Sequence, residues 1–302
     1  MKTRFVVLVG IGLCLLAAGI VWLLAADPVQ ATPPLQDDGP PNLGADYVGT
    51  VFCRMCHTQE EAWHASGHAQ IVQPVSDDTI LADLNDTAAV TITWPDGSER
   101  PITADDITYV LGGRAIQQYV SVIEIEDGTP GYYVLPVTWN IPQSEDQTGM
   151  WTPYHLEDWQ DPSRDWRVAC AGCHTTGLDR ANASEATKFA FVEDWQKGAV
   201  ELNAGCESCH GPGGNHRGNA DTLVASPDAQ ICGQCHAQGH DPSGEHAYPV
   251  GFQPGMALDE TTFVLSPEDD TSIWWNTGHA RSYNQYAEWL KSGHATSLDT
   301  LQ

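Results

Sequence analysis

The chain has 302 residues, enough for one large domain or two modest ones. Forty acidic residues stand against thirteen basic ones, a formal net charge of −27. Such a surface repels phosphate backbones and argues against nucleic acid as a partner, while it favours a basic docking face on a protein partner and also serves solubility.

In chain order, Lys2 and Arg4 form a basic start and Phe5 to Ala26 an unbroken apolar run. Asp27 and Pro28 end it, and Val29-Gln30-Ala31 resembles a peptidase site. Residues 1–31 therefore read as a signal peptide or as an uncleaved N-terminal membrane anchor, since residues 5–26 are long enough to span a bilayer. Both readings export the rest, to the periplasm or an equivalent extracytoplasmic space. Leu13 before Cys14 argues against a lipoprotein signal. Residues 32–44, rich in Pro, Asp and Gly, read as a flexible linker.

Thr58 and Glu61 make a capping-box signature and predict a short helix from about Gln59 to His68. Residues 76–140 carry no cysteine and read as a small antiparallel β insertion. Val90 to Trp94 alternates, Asp96-Gly97 marks a turn, and Tyr119–Glu126 and Tyr132–Trp139 are β-rich runs joined through Asp127 to Gly131. The insertion is expected to be scaffold, covering one face of whatever the first cysteine motif holds. Between Ala169 and His240, motifs crowd together with weak apolar periodicity. From Thr261 to Gln302 helical character returns, with a capping box expected at Ser282 and Gln285. Trp63-His-Ala-Ser-Gly-His-Ala69 is repeated as Trp289-Leu-Lys-Ser-Gly-His-Ala295.

Of nine cysteines, Cys14 lies in the apolar run. The other eight form four Cys-x-x-Cys-His segments: Cys53, Cys56 and His57; Cys170, Cys173 and His174; Cys206, Cys209 and His210; Cys232, Cys235 and His236. This is the spacing of c-type haem attachment. Two residues between the thiols let both sulfurs reach the vinyl groups of one porphyrin, and the next imidazole then lies under the ring as an iron ligand. Disulfides are the default in an exported chain. Two Cys₄ zinc sites are also possible, but neither explains a histidine after every pair. Four covalently bound haems c are the expectation, held in a domain spanning 45–302.

Four of the twelve histidines close the motifs, which leaves eight. His68 and His294 occupy the same place in the repeat and lead as distal iron ligands. His64 shares a helix face with His68 at i, i+4. His216 follows the Gly-rich stretch 211–214, which could swing it towards a neighbouring haem. His279 and His155 are further candidates, whereas His240 and His246 sit in a polar loop.

Trp63 with Ser66 to Ala69, Cys170-Ala-Gly-Cys-His-Thr-Thr-Gly177 and Gly205-Cys-Glu-Ser-Cys-His-Gly-Pro-Gly213, in this order, resemble the tetrahaem cytochrome c554 family, related to the haem core of hydroxylamine oxidoreductase-type proteins. The resemblance covers about residues 45–240. It implies a mainly helical fold, closely stacked haems that pass electrons between redox proteins, and in some members one five-coordinate haem. The β insertion departs towards longer multihaem cytochromes, so the chain also reads as the N-terminal part of such a protein, or as a partner of further cytochrome subunits. A redox enzyme acting on a small nitrogen or sulfur compound at an open haem is the alternative, although no substrate-handling set of residues is evident.

Overall fold

The computed structural model describes residues 44–58, 61–124, 130–177, 201–224 and 228–296. These all belong to one unit, Gly39–Gln302. The signal or anchor segment, all but the end of the linker, the expected helix start at Gln59 and most of the Asp127–Gly131 turn lie outside the described residues.

A six-stranded antiparallel sheet dominates between the first two motifs. Its strands are β1 (Val72–Pro74), β4 (Tyr109–Gly112), β5 (Ile116–Glu124), β6 (Pro130–Val134), β7 (Val137–Asn140) and β8 (Met150–Pro153). The order is β1-β4-β5-β7-β8, with β6 also paired to β5. Its sequence is β-branched and aromatic with period two, which suits a pleated surface. β6 and β7 follow one another along one edge of β5, Val134 opposite Val120 and Trp139 opposite Gln117. The Tyr132–Trp139 run is thus two strands, broken at Leu135-Pro136 because proline has no N–H for the ladder. The hairpin at Asp96-Gly97 forms as its sequence predicts: β2 (Thr91–Thr93) pairs with β3 (Glu99–Pro101), and Gly97 takes φ 78°.

Both faces of the sheet are covered. Val110, Tyr119, Tyr133 and Leu135 point into a core closed by Val90, Ile92, Trp94 and Trp159. The alternating residues Leu111, Val120 and Val134 point the other way, with Val72, onto Trp166 and Ala171. Ala171 lies inside the second cysteine motif, so this face seats the second motif.

The chain is not mainly α. Among the described residues the longest helix, Ala229–His236, has eight residues, and the helices at the first three motifs are single turns. The physical reason is local. Placing two thiols and an imidazole needs one helical turn, and backbone glycines then redirect the chain, as at Gly211 with φ 79°. The expected helix from Gln59 to His68 is likewise interrupted. Glu61–His64 is α-helical, and Gly67–Gln70 is a separate 3₁₀ turn after extended Ser66. His64 and His68 therefore do not share one helix face. Nor does the Ser282–Gln285 capping box form. The helix Gln285–Lys291 starts after Asn284, while the Ser282 hydroxyl accepts from Gln238 Nε2 at 2.7 Å.

A third cluster, Ala237, Phe252, Leu258, Phe263 and Tyr286, packs the tail against the fourth motif. Leu135 is fully buried at the centre of the first core. Leu135→Ala should lower stability by about 2–5 kcal/mol. A shift of the denaturant midpoint followed by far-ultraviolet circular dichroism checks this; an unshifted midpoint would contradict the packing.

Candidate haem sites

The four motifs form one contiguous row. The Cys53 thiol donates to Gly49 O at 3.5 Å, and the Cys206 thiol lies close enough that the pair shift each other, Cys53 upward and Cys206 down to about 6. Cys209 lies close enough to Cys232 and Cys235 to feel their charge. In the next step Gln234 donates to Ser208 O at 2.8 Å, the Cys173 thiol to Gln234 O at 3.7 Å, and the Cys235 thiol to Cys173 O at 3.7 Å. The order in space is first, third, fourth, second. No two of the eight motif cysteines are joined as a disulfide. Among the described residues, no group of three or more His, Cys, Asp or Glu side chains gathers as a metal cage.

What joins the first motif to the third is a pair of carboxylates. Glu207, 2% exposed, accepts from Val48 N at 2.9 Å, Gly49 N at 2.7 Å and Gly213 N at 2.6 Å. Glu201 accepts from Thr50 Oγ1 at 2.7 Å and from Thr50 N at 3.0 Å. The Thr50 hydroxyl accepts in turn from Cys206 N at 3.1 Å. No pattern in the sequence singles out Glu201; the place of Glu207 inside the third motif is its only signal.

Two motif histidines face a second imidazole. The rings of His57 and His216 are stacked with centroids 6.1 Å apart, and those of His68 and His236 are edge-on at 6.0 Å. Two imidazoles bonded at about 2 Å to opposite sides of one metal stand with ring centres roughly 6 Å apart. In each pair one ring has its Nδ1 engaged, as iron ligation through Nε2 requires. His216 Nδ1 meets Asn219 O at 2.9 Å, and His236 Nδ1 meets Gln285 Oε1 at 3.2 Å. At the third motif, His210 Nδ1 meets Val224 O at 2.6 Å. In each case Nε2 is left for a metal. Burial pushes His174 down to about 4, which keeps its imidazole neutral; its Nδ1 is buried with no hydrogen-bond partner, and the Trp166 ring meets it edge-on at 6.1 Å. These residues fit haem c.

The remaining candidates lie elsewhere. His155 adopts φ 45°, and its Nδ1 stands 3.3 Å from Asp158. His279 is 78% exposed, with Nδ1 3.4 Å from Glu288. His294 is exposed in the 3₁₀ turn Gly293–Thr296, after the helix Gln285–Lys291, as His68 lies in a 3₁₀ turn after Glu61–His64. Glycine inside a motif is also structural: a Cβ on Gly172 would run into the Tyr248 ring.

Motifs and imidazole geometry are those expected of a multihaem c-type cytochrome. Residues 153–211, which hold the second and third motifs, match the family described as cytochrome c554 and c-prime. No curated protein matches the chain. Among solved structures, an undecaheme cytochrome from the S-layer of Carboxydothermus ferrireducens is 23% identical, with TM-score 0.39, over 65% of this chain and 26% of that one. The octaheme sulfite reductase MccA of Wolinella succinogenes is 17% identical, with TM-score 0.36, over 74% of this chain and 42% of that one. The chain thus spans less than half the length of either.

Glu207→Ala would strand three backbone N–H donors in a buried place. It should cost about 3 kcal/mol and expose residues 44–50 to protease. Limited proteolysis and thermal unfolding measure both effects; wild-type resistance would remove Glu207 from the clamp.

Proposed function

We propose that this chain is an exported tetrahaem cytochrome c that relays electrons between redox proteins. The observation that carries the reading is the pair of imidazole contacts, His57 with His216 and His236 with His68, each at the separation that one iron needs. Bound haem supplies a one-electron couple whose potential responds to axial ligands, burial and nearby charge.

The protein's own part is to hold these groups in place. Eight cysteines tether four rings. The carbonyls of Asn219 and Val224 and the Gln285 amide orient imidazoles, and the two-carboxylate clamp sets the first ring against the third. Contiguity from the first motif to the second supports a relay with two ends. If His57 with His216 and His68 with His236 each hold one haem iron, no ligand site would be left open at those two haems, which favours electron transfer over substrate binding there. Export rests on the basic start and apolar run of residues 2–26. A docking partner with a basic face suits the charge of −27, and its association should weaken as salt rises.

Pyridine haemochrome analysis of the purified protein should give four haems per chain, and loss of one for each Cys→Ala pair. A protein with zinc and no haem would end the reading. His68→Ala and His216→Ala should each convert one low-spin iron to high-spin in electron paramagnetic resonance and open it to carbon monoxide. If neither spectrum changes, these two histidines are not ligands.

A further inference from the structure

We propose that Glu201 takes up a proton when an electron reaches the haems carried by the first and third motifs, so that the chain couples electron transfer to proton uptake. This rests on the haem reading above. Glu201 lies between those two attachment points. Its carboxylate is held by the hydroxyl and N–H of Thr50, three residues before Cys53. The same hydroxyl accepts from Cys206 N. A Cβ on Gly205 would collide with Glu201 Oε1, so the carboxylate lies directly over the backbone leading into the third motif. Its charge acts on both the Cys53 and the Cys206 sulfur.

The surroundings leave the carboxylate poised. The charged group that faces it is Glu207, and no cation pairs with it among the described residues. Its strand neighbours Thr175 and Thr176 bring hydroxyls and no charge. Burial pushes Glu201 above the usual carboxylate range; the Thr50 hydrogen bonds oppose this, and Glu207 adds to it. Glu207 itself is spent as a clamp, its oxygens accepting from three backbone N–H groups. Glu201 is only partly buried, so solvent can deliver a proton.

The step balances. An electron from the donor protein lowers the positive charge of one iron by one. The neighbouring carboxylate loses that attraction and binds a proton from water at a carboxylate oxygen, so the local charge is unchanged. By linkage, a proton that binds the reduced state more tightly makes reduction easier at low pH.

The test is a redox titration of the purified, haem-loaded full chain between pH 5 and pH 9, followed in the haem absorbance bands. In the wild type, the potential of at least one haem should fall as pH rises through a window, by up to tenfold in the reduced-to-oxidised ratio per pH unit, about 59 mV for one electron. Glu201→Gln should flatten that window with the haem count unchanged. Thr50→Val removes a hydroxyl that favours the charged form, so it should move the window to higher pH. A pH-independent wild type, a Glu201→Gln variant with the wild-type slope, or, if that variant does not fold, an unmoved window in Thr50→Val would overturn the proposal and leave the haem reading intact. Absence of haem in the starting protein would instead overturn the reading beneath it.

Discussion

The Glu207 clamp is the interaction on which the arrangement of motifs depends. A carboxylate that is 2% exposed is costly unless its oxygens are satisfied. Glu207 meets this condition with N–H groups of the segment that leads into the first motif, more than 150 positions away in the chain. Apolar packing cannot do the same task there. Val51 is 81% exposed and Met55 74%, so the first motif brings no core of its own. Polar satisfaction at Glu207 and Glu201 holds it against the third motif, and from that contact the row runs on to the fourth and second.

The other motifs are seated differently. The second rests on one face of the sheet, through Ala171 and Trp166 packed on Leu111, Val120 and Val134. The fourth rests on the tail cluster around Phe252, Phe263 and Tyr286. The four motifs therefore lean on three kinds of support: a hydrogen-bonded clamp shared by the first and third, a sheet face under the second and an aromatic cluster under the fourth. A row of redox groups needs fixed separations more than it needs one continuous core. Short helices, tight glycine turns and separate local supports provide such separations.

The sequence makes the chemistry far more legible than the architecture. Attachment spacing is local, so all four motifs stand out in the primary structure. The Asp96-Gly97 hairpin is equally local, because period-two alternation and a turn pair are written in adjacent residues. The errors arose where local signals were extended over distance. The resemblance implied a mainly helical fold, yet the helices at the first three motifs end after a single turn. Ser282 and Gln285 had the spacing of a cap, yet Gln238 takes the serine hydroxyl from another part of the chain. Pro136 divides a run that composition alone treats as one strand. Glu201 was illegible because its role exists only where Thr50 and Cys206 meet. That His216 would approach a motif was readable from its glycine-rich approach, but not which motif it would meet.

The repeated Trp-x-x-Ser-Gly-His-Ala segment shows how one local device can be aimed by its surroundings. In both copies a short helix carries the tryptophan, the serine ends the helix in extended backbone, and glycine opens a 3₁₀ turn that bears the histidine. The histidine thus stands at a set distance from the tryptophan, and the anchoring of the tryptophan decides what the imidazole meets. Trp63 donates through Nε1 to Ala204 O at 2.9 Å, just before the third motif. From there His68 reaches the His236 ring of the fourth motif, which adjoins the third. Trp289 instead stacks on Tyr286 in the tail cluster, which directs His294 outward. The same five residues at the same spacing therefore lead to different placement, because the reach of the device is intrinsic and its target is set by long-range packing.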